Sequence, residues 1–275
     1  MPYITLAKHK LHYELHQGAA AEDTTPLVLL MSLGGSCRGW MPLQVPVFSQ
    51  TRPVVIFDNR GAGDSEDPGG NFSITDLADD TIGLLDALEI EQADLLGAFM
   101  GGMTAQEIAL RHPDRVRRMV LSGTYARPDA KRRMLLEDWA DLAKAGVPLE
   151  KMSRKRLLWT LQDETLEQRD LIDGMLDFFA REGVPVSADT FVRQCRACIE
   201  HDTLDRLPEI EHPTLIVCGR HDQLTPTKFH HTLAELIPNA RLVTIRFGAH
   251  LVMVESAERF NQSVLQFLDE KQQRV

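Results

Sequence analysis

Six short apolar runs constrain this chain more than any other feature: residues 26–31, 53–57, 93–97, 118–122, 213–218 and 241–245. Most are dominated by Val, Leu and Ile, and all are too short for an ordinary helix. Such runs suit strands buried on both faces, the condition of a parallel sheet covered by helices. Residues 3–6 and 10–16 alternate instead, and the turn at Lys8-His9 between them predicts an antiparallel edge hairpin. Ser73 caps a helix whose buried face is Leu77, Ile82, Leu84, Leu85 and Leu88. A second helix runs from Met100 to about Arg111, where Pro113 stops it. From residue 26 to 122 the order is strand, strand, helix, strand, helix, strand. That order specifies an α/β fold with a mainly parallel sheet and helices on both faces.

The rhythm changes between residues 127 and 207, where no β-rich run occurs and helix formers dominate. Helical spacing covers 129–145, 149–161, 165–182 and 188–202, with breaks at Gly146-Val147-Pro148 and Gly183-Val184-Pro185. The sheet pattern then resumes, with a helix over 228–237 and a closing helix over 252–268. The organisation expected is a core domain of residues 1–126 and 208–275 and a helical cap of residues 127–207. Of the insertion's aromatics Trp139, Trp159, Phe178, Phe179 and Phe191, two or three are expected to face a pocket.

A chain of 275 residues fits one large domain of this kind. No apolar run approaches the ~18 residues that span a bilayer, and residues 1–10 lack the apolar core of a secretory leader. A cytoplasmic protein without a membrane partner is expected. The formal charge of −10 argues against nucleic acid, whose phosphates the average surface repels. Four scattered cysteines are too few for a disulfide scaffold. The Cys195-x-x-Cys198 pair with His201 lacks further ligands, so no metal is expected. No cofactor is implied either, because there is no dinucleotide fingerprint and Gly97 to Gly102 lacks the Gly-Lys-Ser/Thr of a phosphate loop. His9, His12, His230 and His231 have no catalytic context and read as solvated. Homo-oligomerisation stays open.

The run at 93–97 leads into Gly97-Ala98-Phe99-Met100-Gly101-Gly102, a glycine-bracketed turn before a helix. The spacing Gly97-x-Phe99-x-Gly101 is that of the nucleophile elbow G-x-S-x-G, in which a strained residue projects from the end of a strand. Phe99 stands where the nucleophile belongs, and it has no hydroxyl, thiol or carboxylate. Asp222 and His250 follow later strands in the same way, and Gly34-Gly35 and the Asp58-to-Ser65 segment follow earlier ones. Strand-end loops gather at one edge of such a sheet, so His250 is expected within hydrogen-bond reach of Asp222, facing Phe99. The Asp58-to-Ser65 loop reads as structural.

The order elbow, acid, histidine at 99, 222 and 250, with a helical insertion before the acid strand, resembles the α/β-hydrolase superfamily over nearly the whole chain. Met31-Ser32-Leu33-Gly34-Gly35, Arg38-Gly39-Trp40 and Asp58-Asn59-Arg60-Gly61-Ala62-Gly63-Asp64-Ser65 resemble the enol-lactonase and small-carboxylesterase branch, and the last also anthracycline methylesterases. The resemblance implies that His250 is the general base and that Asp222 holds its tautomer. It implies an oxyanion hole from the backbone N–H groups of Leu33 and Met100. The ligand it implies is a small apolar ester, lactone or thioester.

Phe99 departs from that pattern and leaves three readings. One base separates the serine codons TCT and TCC from phenylalanine, so the chain can be a hydrolase that lost its nucleophile and is inactive or strongly impaired. It can be a lyase or cofactor-free oxygenase that uses His250 and Asp222 as a base. It can be a ligand-binding sensor with Phe99 as the pocket floor. Ser32, Ser36, Cys37 and Ser122 lie near the site but none occupies an elbow.

Overall fold

The computed structural model describes residues 2–18, 24–182 and 186–270. Its sheet is built from β1 (Tyr3–Thr5), β2 (Lys10–His16), β3 (Leu27–Leu30), β4 (Val54–Phe57), β5 (Ala93–Ala98), β6 (Val116–Ser122), β7 (Thr214–Gly219) and β8 (Ala240–Ile245). The spatial order is β1-β2-β4-β3-β5-β6-β7-β8. β1 and β2 pair antiparallel, as does β2 with β4, and every later pairing is parallel. The hairpin therefore lies at one edge and the elbow strand β5 near the middle.

The helices, in chain order, are α1 (Val45–Phe48), α2 (Ile74–Ala87), α3 (Met100–Arg111), α4 (Ala130–Lys144), α5 (Leu149–Thr160), α6 (Asp163–Leu166), α7 (Arg169–Glu182), α8 (Ala188–Glu200), α9 (Thr227–Leu236), α10 (Val252–Glu255) and α11 (Ala257–Asp269). α2 starts as its sequence predicts. The Ser73 hydroxyl accepts from the Asp76 N–H, and the Asp76 carboxylate accepts from the Ser73 N–H at 2.8 Å.

Successive residues of one strand serve opposite layers. On β3, Val28 and Leu30 pack with α2, α3 and α9, while Leu27 and Leu29 pack with α1 and α11. That two-sided burial is why the sequence shows unbroken apolar runs. A third apolar cluster lies beyond the strand ends and joins Leu33, Phe99 and Tyr125 to Trp139, Phe191 and Cys195 of the helical segment between β6 and β7.

Two helices expected to be continuous are divided. The pattern over 165–182 is α6 and α7, because Gln168 N bonds back to Thr165 O in a tight turn. The closing helix is α10 and α11, because Ser256 leaves helical geometry (φ −132°, ψ 48°) and turns its hydroxyl to Phe247 O. The break expected at 183–185 lies outside the described residues.

Candidate active site

Phe99 keeps the strained elbow backbone. It sits between β5 and α3 at φ 46°, ψ −104°, a region that side-chain-bearing residues rarely occupy. Its N–H donates to Ser122 O at 3.0 Å, and its carbonyl accepts from Met103 N–H at 3.1 Å and from the Thr124 hydroxyl at 2.8 Å. The flanking glycines are required by close approach. A Cβ on Gly97 would lie 2.3 Å from Gly101 O, and one on Gly101 would lie 2.0 Å from Leu30 O.

His250 and Asp222 are brought together. The Nδ1 of His250 lies 3.0 Å from Asp222 Oδ2, and both side chains are buried. Asp222 also accepts from the Thr225 N–H and the Thr225 hydroxyl, each at 2.7 Å, and that hydroxyl lies 3.1 Å from Nδ1. Burial works to raise the Asp222 carboxyl, but the adjacent His250 imidazole and these donors outweigh it and hold it below its ordinary value. The pair leaves Nε2 on the opposite edge of the imidazole. The Phe99 ring stands edge-on to His250, with centroids 5.4 Å apart at 77°, and edge-on to Tyr125 at 5.7 Å.

Leu33, Ser32, Phe99, Ser122 and His250 share the wall of a cavity of about 560 Å³. Met100, the first residue of α3, is buried beside Phe99, and its N–H has no partner within the helix. Trp139, Phe178 and Phe191 line the cavity, Trp159 does not, and the Phe179 side chain lies outside the described residues. The helical segment is fastened to both active-site loops. Gln194 Oε1 accepts from Gly34 N–H at 2.8 Å, and Gln162 Oε1 accepts from Gly248 N–H at 2.9 Å. Glu255 accepts from Gln162 N–H and Ala249 N–H, and Leu251 N–H donates to Thr160 O at 2.9 Å.

Residues 25–257 match the alpha/beta hydrolase fold family. The chain belongs to the α/β-hydrolases. A relative from Stutzerimonas stutzeri named "Putative carbamate hydrolase RutD" is 31% identical over 95% of this chain and 97% of its own length. Among solved structures, the enol-lactonase from Burkholderia xenovorans LB400 is 29% identical, with a TM-score of 0.89 over 98% of this chain and all of the other. A hydrolase from Pseudomonas aeruginosa PA01 is 27% identical, with a TM-score of 0.88 over 98% of both chains.

Several titratable groups of this α/β-hydrolase lie elsewhere than the sequence suggests. His9, His12 and His230 are buried, not solvated, whereas His231 is exposed. α9 turns His230 toward the sheet, and burial lowers its imidazole to about 4. The loop after β4 is built on Asp58, which meets His12 Nδ1 at 2.9 Å and accepts from Cys37 N–H and Asp64 N–H. Burial, with Asp58 alongside, pushes the Cys37 thiol far above its ordinary value, which makes it a poor nucleophile. Cys195 and Cys198 are buried in α8, and burial raises the former to about 12. Among the described residues only His12, Cys37 and Asp58 bring three ligand atoms within 4.8 Å, and the Asp58 oxygens already serve the loop. No helix among the described residues is long and apolar enough to cross a membrane.

Sequence reasoning missed Thr225, Gln162, Gln194 and Arg156. Thr225 carried a signal, since it lies three residues after the acid in the same loop.

Proposed function

We propose that this α/β-hydrolase is a scaffold for cleaving an ester, lactone or related acyl bond, and that Phe99 leaves it inactive or strongly impaired. The observation that carries the reading is the positive φ kept at Phe99 beside an assembled His250–Asp222 pair. A bulky apolar residue has no reason of its own to hold that conformation, on the order of 1–3 kcal/mol uphill, unless the surrounding strand, helix and glycines impose it. In that geometry a hydroxyl at position 99 would attack the acyl carbon and pass its proton to Nε2 of His250. Asp222 would stabilise the resulting imidazolium, and the N–H groups of Leu33 and Met100 would receive the oxyanion. Residues 127–207 act as a cap over this site, and 1–126 with 208–275 form the core. The carbamate-hydrolase and enol-lactonase relatives support acyl chemistry, and the apolar cavity wall supports a small substrate. Free, buried cysteines fit a reducing cytoplasm.

The test is Phe99→Ser with p-nitrophenyl esters of several acyl lengths. Hydrolysis at least ~10³-fold above the unsubstituted protein is expected from restoring the nucleophile. A folded but inactive serine variant overturns the reading.

The packing of Phe99 against both His250 and Tyr125 favours a second reading, in which the ring is a pocket floor and the protein binds ligand without turnover. Under that reading Phe99→Ser stays inactive and loses affinity.

A further inference from the structure

The helical segment between β6 and β7 carries two patches of opposite sign on its surface. On α5, Arg156 turns inward, where Nη2 donates to Leu33 O at 2.9 Å. Lys151, Arg154 and Lys155 are exposed, and among the described residues none of the three has an ion-pair partner. Residues 163–177, which form α6 and most of α7, hold six acids against one base, Arg169. Asp163, Glu164, Glu167, Asp170 and Asp173 are exposed, and they too lack an ion-pair partner among the described residues. Other exposed charges of the segment pair locally, Lys144 with Asp141 and Arg196 with Glu200. α5 and α7 are in contact, so the two patches adjoin, yet their charges do not meet each other.

α7 is also short of packing. α4 buries Leu136 and Trp139, and α8 buries Phe191 and Cys195, but from Arg169 to Phe178 no side chain of α7 is buried. Leu171, Met175, Leu176 and Phe178 border the cavity, and a hollow supplies few packing partners. Leu171 is 44% exposed, and Leu158 in the last turn of α5 is 61% exposed. Helices in folded proteins draw most of their stability from a covered apolar face, which α7 lacks.

We propose that two copies of this chain associate through these helices, with α5 of each copy against α6 and α7 of the other. A two-fold rotation sets one surface against itself, so a surface that carries both signs side by side is its own complement. The basic patch then meets the acidic patch twice, and Leu158 and Leu171 are covered between the copies. At a formal charge of −10 two copies repel on average, and a pairing of opposite patches offsets that repulsion at this face. A foreign partner would have to match both signs in this arrangement, whereas a second copy does so by symmetry. Because α7 borders the cavity, the other copy's α5 also braces the cavity wall.

Sedimentation velocity of the unsubstituted protein is expected to show a dimer at about 50 µM in low salt, weakened about tenfold or more by ~0.5 M NaCl. Two charge-reversed proteins locate the face. One carries Lys151→Glu, Arg154→Glu and Lys155→Glu, and the other carries Glu167→Lys, Asp170→Lys and Asp173→Lys. All six side chains are exposed, so both proteins should fold, which circular dichroism checks. Each alone should dimerise at least about 100-fold more weakly, since both contacts now set like charges together. Mixed in equal amounts they should form a heterodimer about as tight as the unsubstituted dimer, because both contacts again join opposite signs. Leu158→Asp, a single change at an exposed position, should by itself weaken the dimer about tenfold or more. A monomer at about 100 µM in low salt overturns the proposal. So does a dimer that survives either reversal or Leu158→Asp unchanged, or a mixture that stays monomeric. None of these outcomes depends on whether Phe99→Ser hydrolyses esters.

Discussion

At position 99 the backbone and the side chain pull in opposite directions. The ring is buried against His250 and Tyr125, so truncation forfeits packing of about 3–5 kcal/mol, while the positive φ penalises every residue with a Cβ. Phe99→Gly removes both the ring and the penalty, whereas Phe99→Ala removes only the ring. The glycine variant is therefore expected to be at least as stable as the alanine variant, against the usual order of these residues. Urea unfolding of the pair measures this. An alanine variant more stable by about 1 kcal/mol would show a relaxed turn.

Among the elements, the helical segment bears on the site through polar side chains that reach strand-end loops. Gln162, just before α6, supplies the acceptor for Gly248 N–H in the loop that carries His250. Gln162→Leu leaves that buried N–H unsatisfied and should cost about 1–3 kcal/mol. In the Phe99→Ser background it should lower kcat more than it raises KM, because what shifts is the histidine loop. Chemical denaturation and ester kinetics on the same samples report the two effects. Arg193 of α8 ties the segment to the loop region at Asp67, with Nη1 donating to Oδ1 at 3.0 Å. That pairing lowers the Asp67 carboxyl to about 2. These ties were not legible in the sequence. Gln194 and Arg193 lie within one helical stretch and Gln162 in the break before another, and their partners lie far away along the chain. Arg156 is hidden in the same way among the basic residues 154–156, although Met152 and Thr160 bracket it on a buried stripe. The sheet, the elbow and the His250–Asp222 pair were legible because each follows from a local pattern: an apolar run, a glycine spacing, a residue placed just after a strand. The buried histidines were misread because nothing local distinguishes a histidine turned inward on α9 from one turned outward.

For the whole molecule two buried histidines, His230 and His201, set the response to acid. Burial holds His230 near 4 and His201 near 3, against an ordinary 6.5, so both stay neutral in the folded state while the unfolded chain takes up protons. Stability is complete above pH 6.5 and is lost on acidification, with each site contributing about 1.4 kcal/mol per pH unit down to its folded value. Asp222, held below its ordinary 3.8, adds its own loss only below that value. Urea midpoints should hold from about pH 7.5 to about 6.5 and fall from there to about pH 4.5, and His230→Leu should flatten part of the slope, since neither ring nitrogen of His230 has a hydrogen-bond partner among the described residues. A pH-independent midpoint across that range would show that water reaches these rings.

The pairing of β6 with β7 joins Met119 to Thr214 across the entire helical segment. Closing so long a loop costs chain entropy that grows only with the logarithm of its length, so the insertion weighs little on equilibrium stability. Its effect is kinetic. The elbow strand and β6 can associate early, but Asp222 and His250 reach Phe99 only after β7 and β8 have docked, a late search between distant parts of the chain. During synthesis the same sequence separation orders events in time: a chain released before β7 emerges would carry the elbow and most of its sheet, with β6 left as an open edge and no histidine to face it.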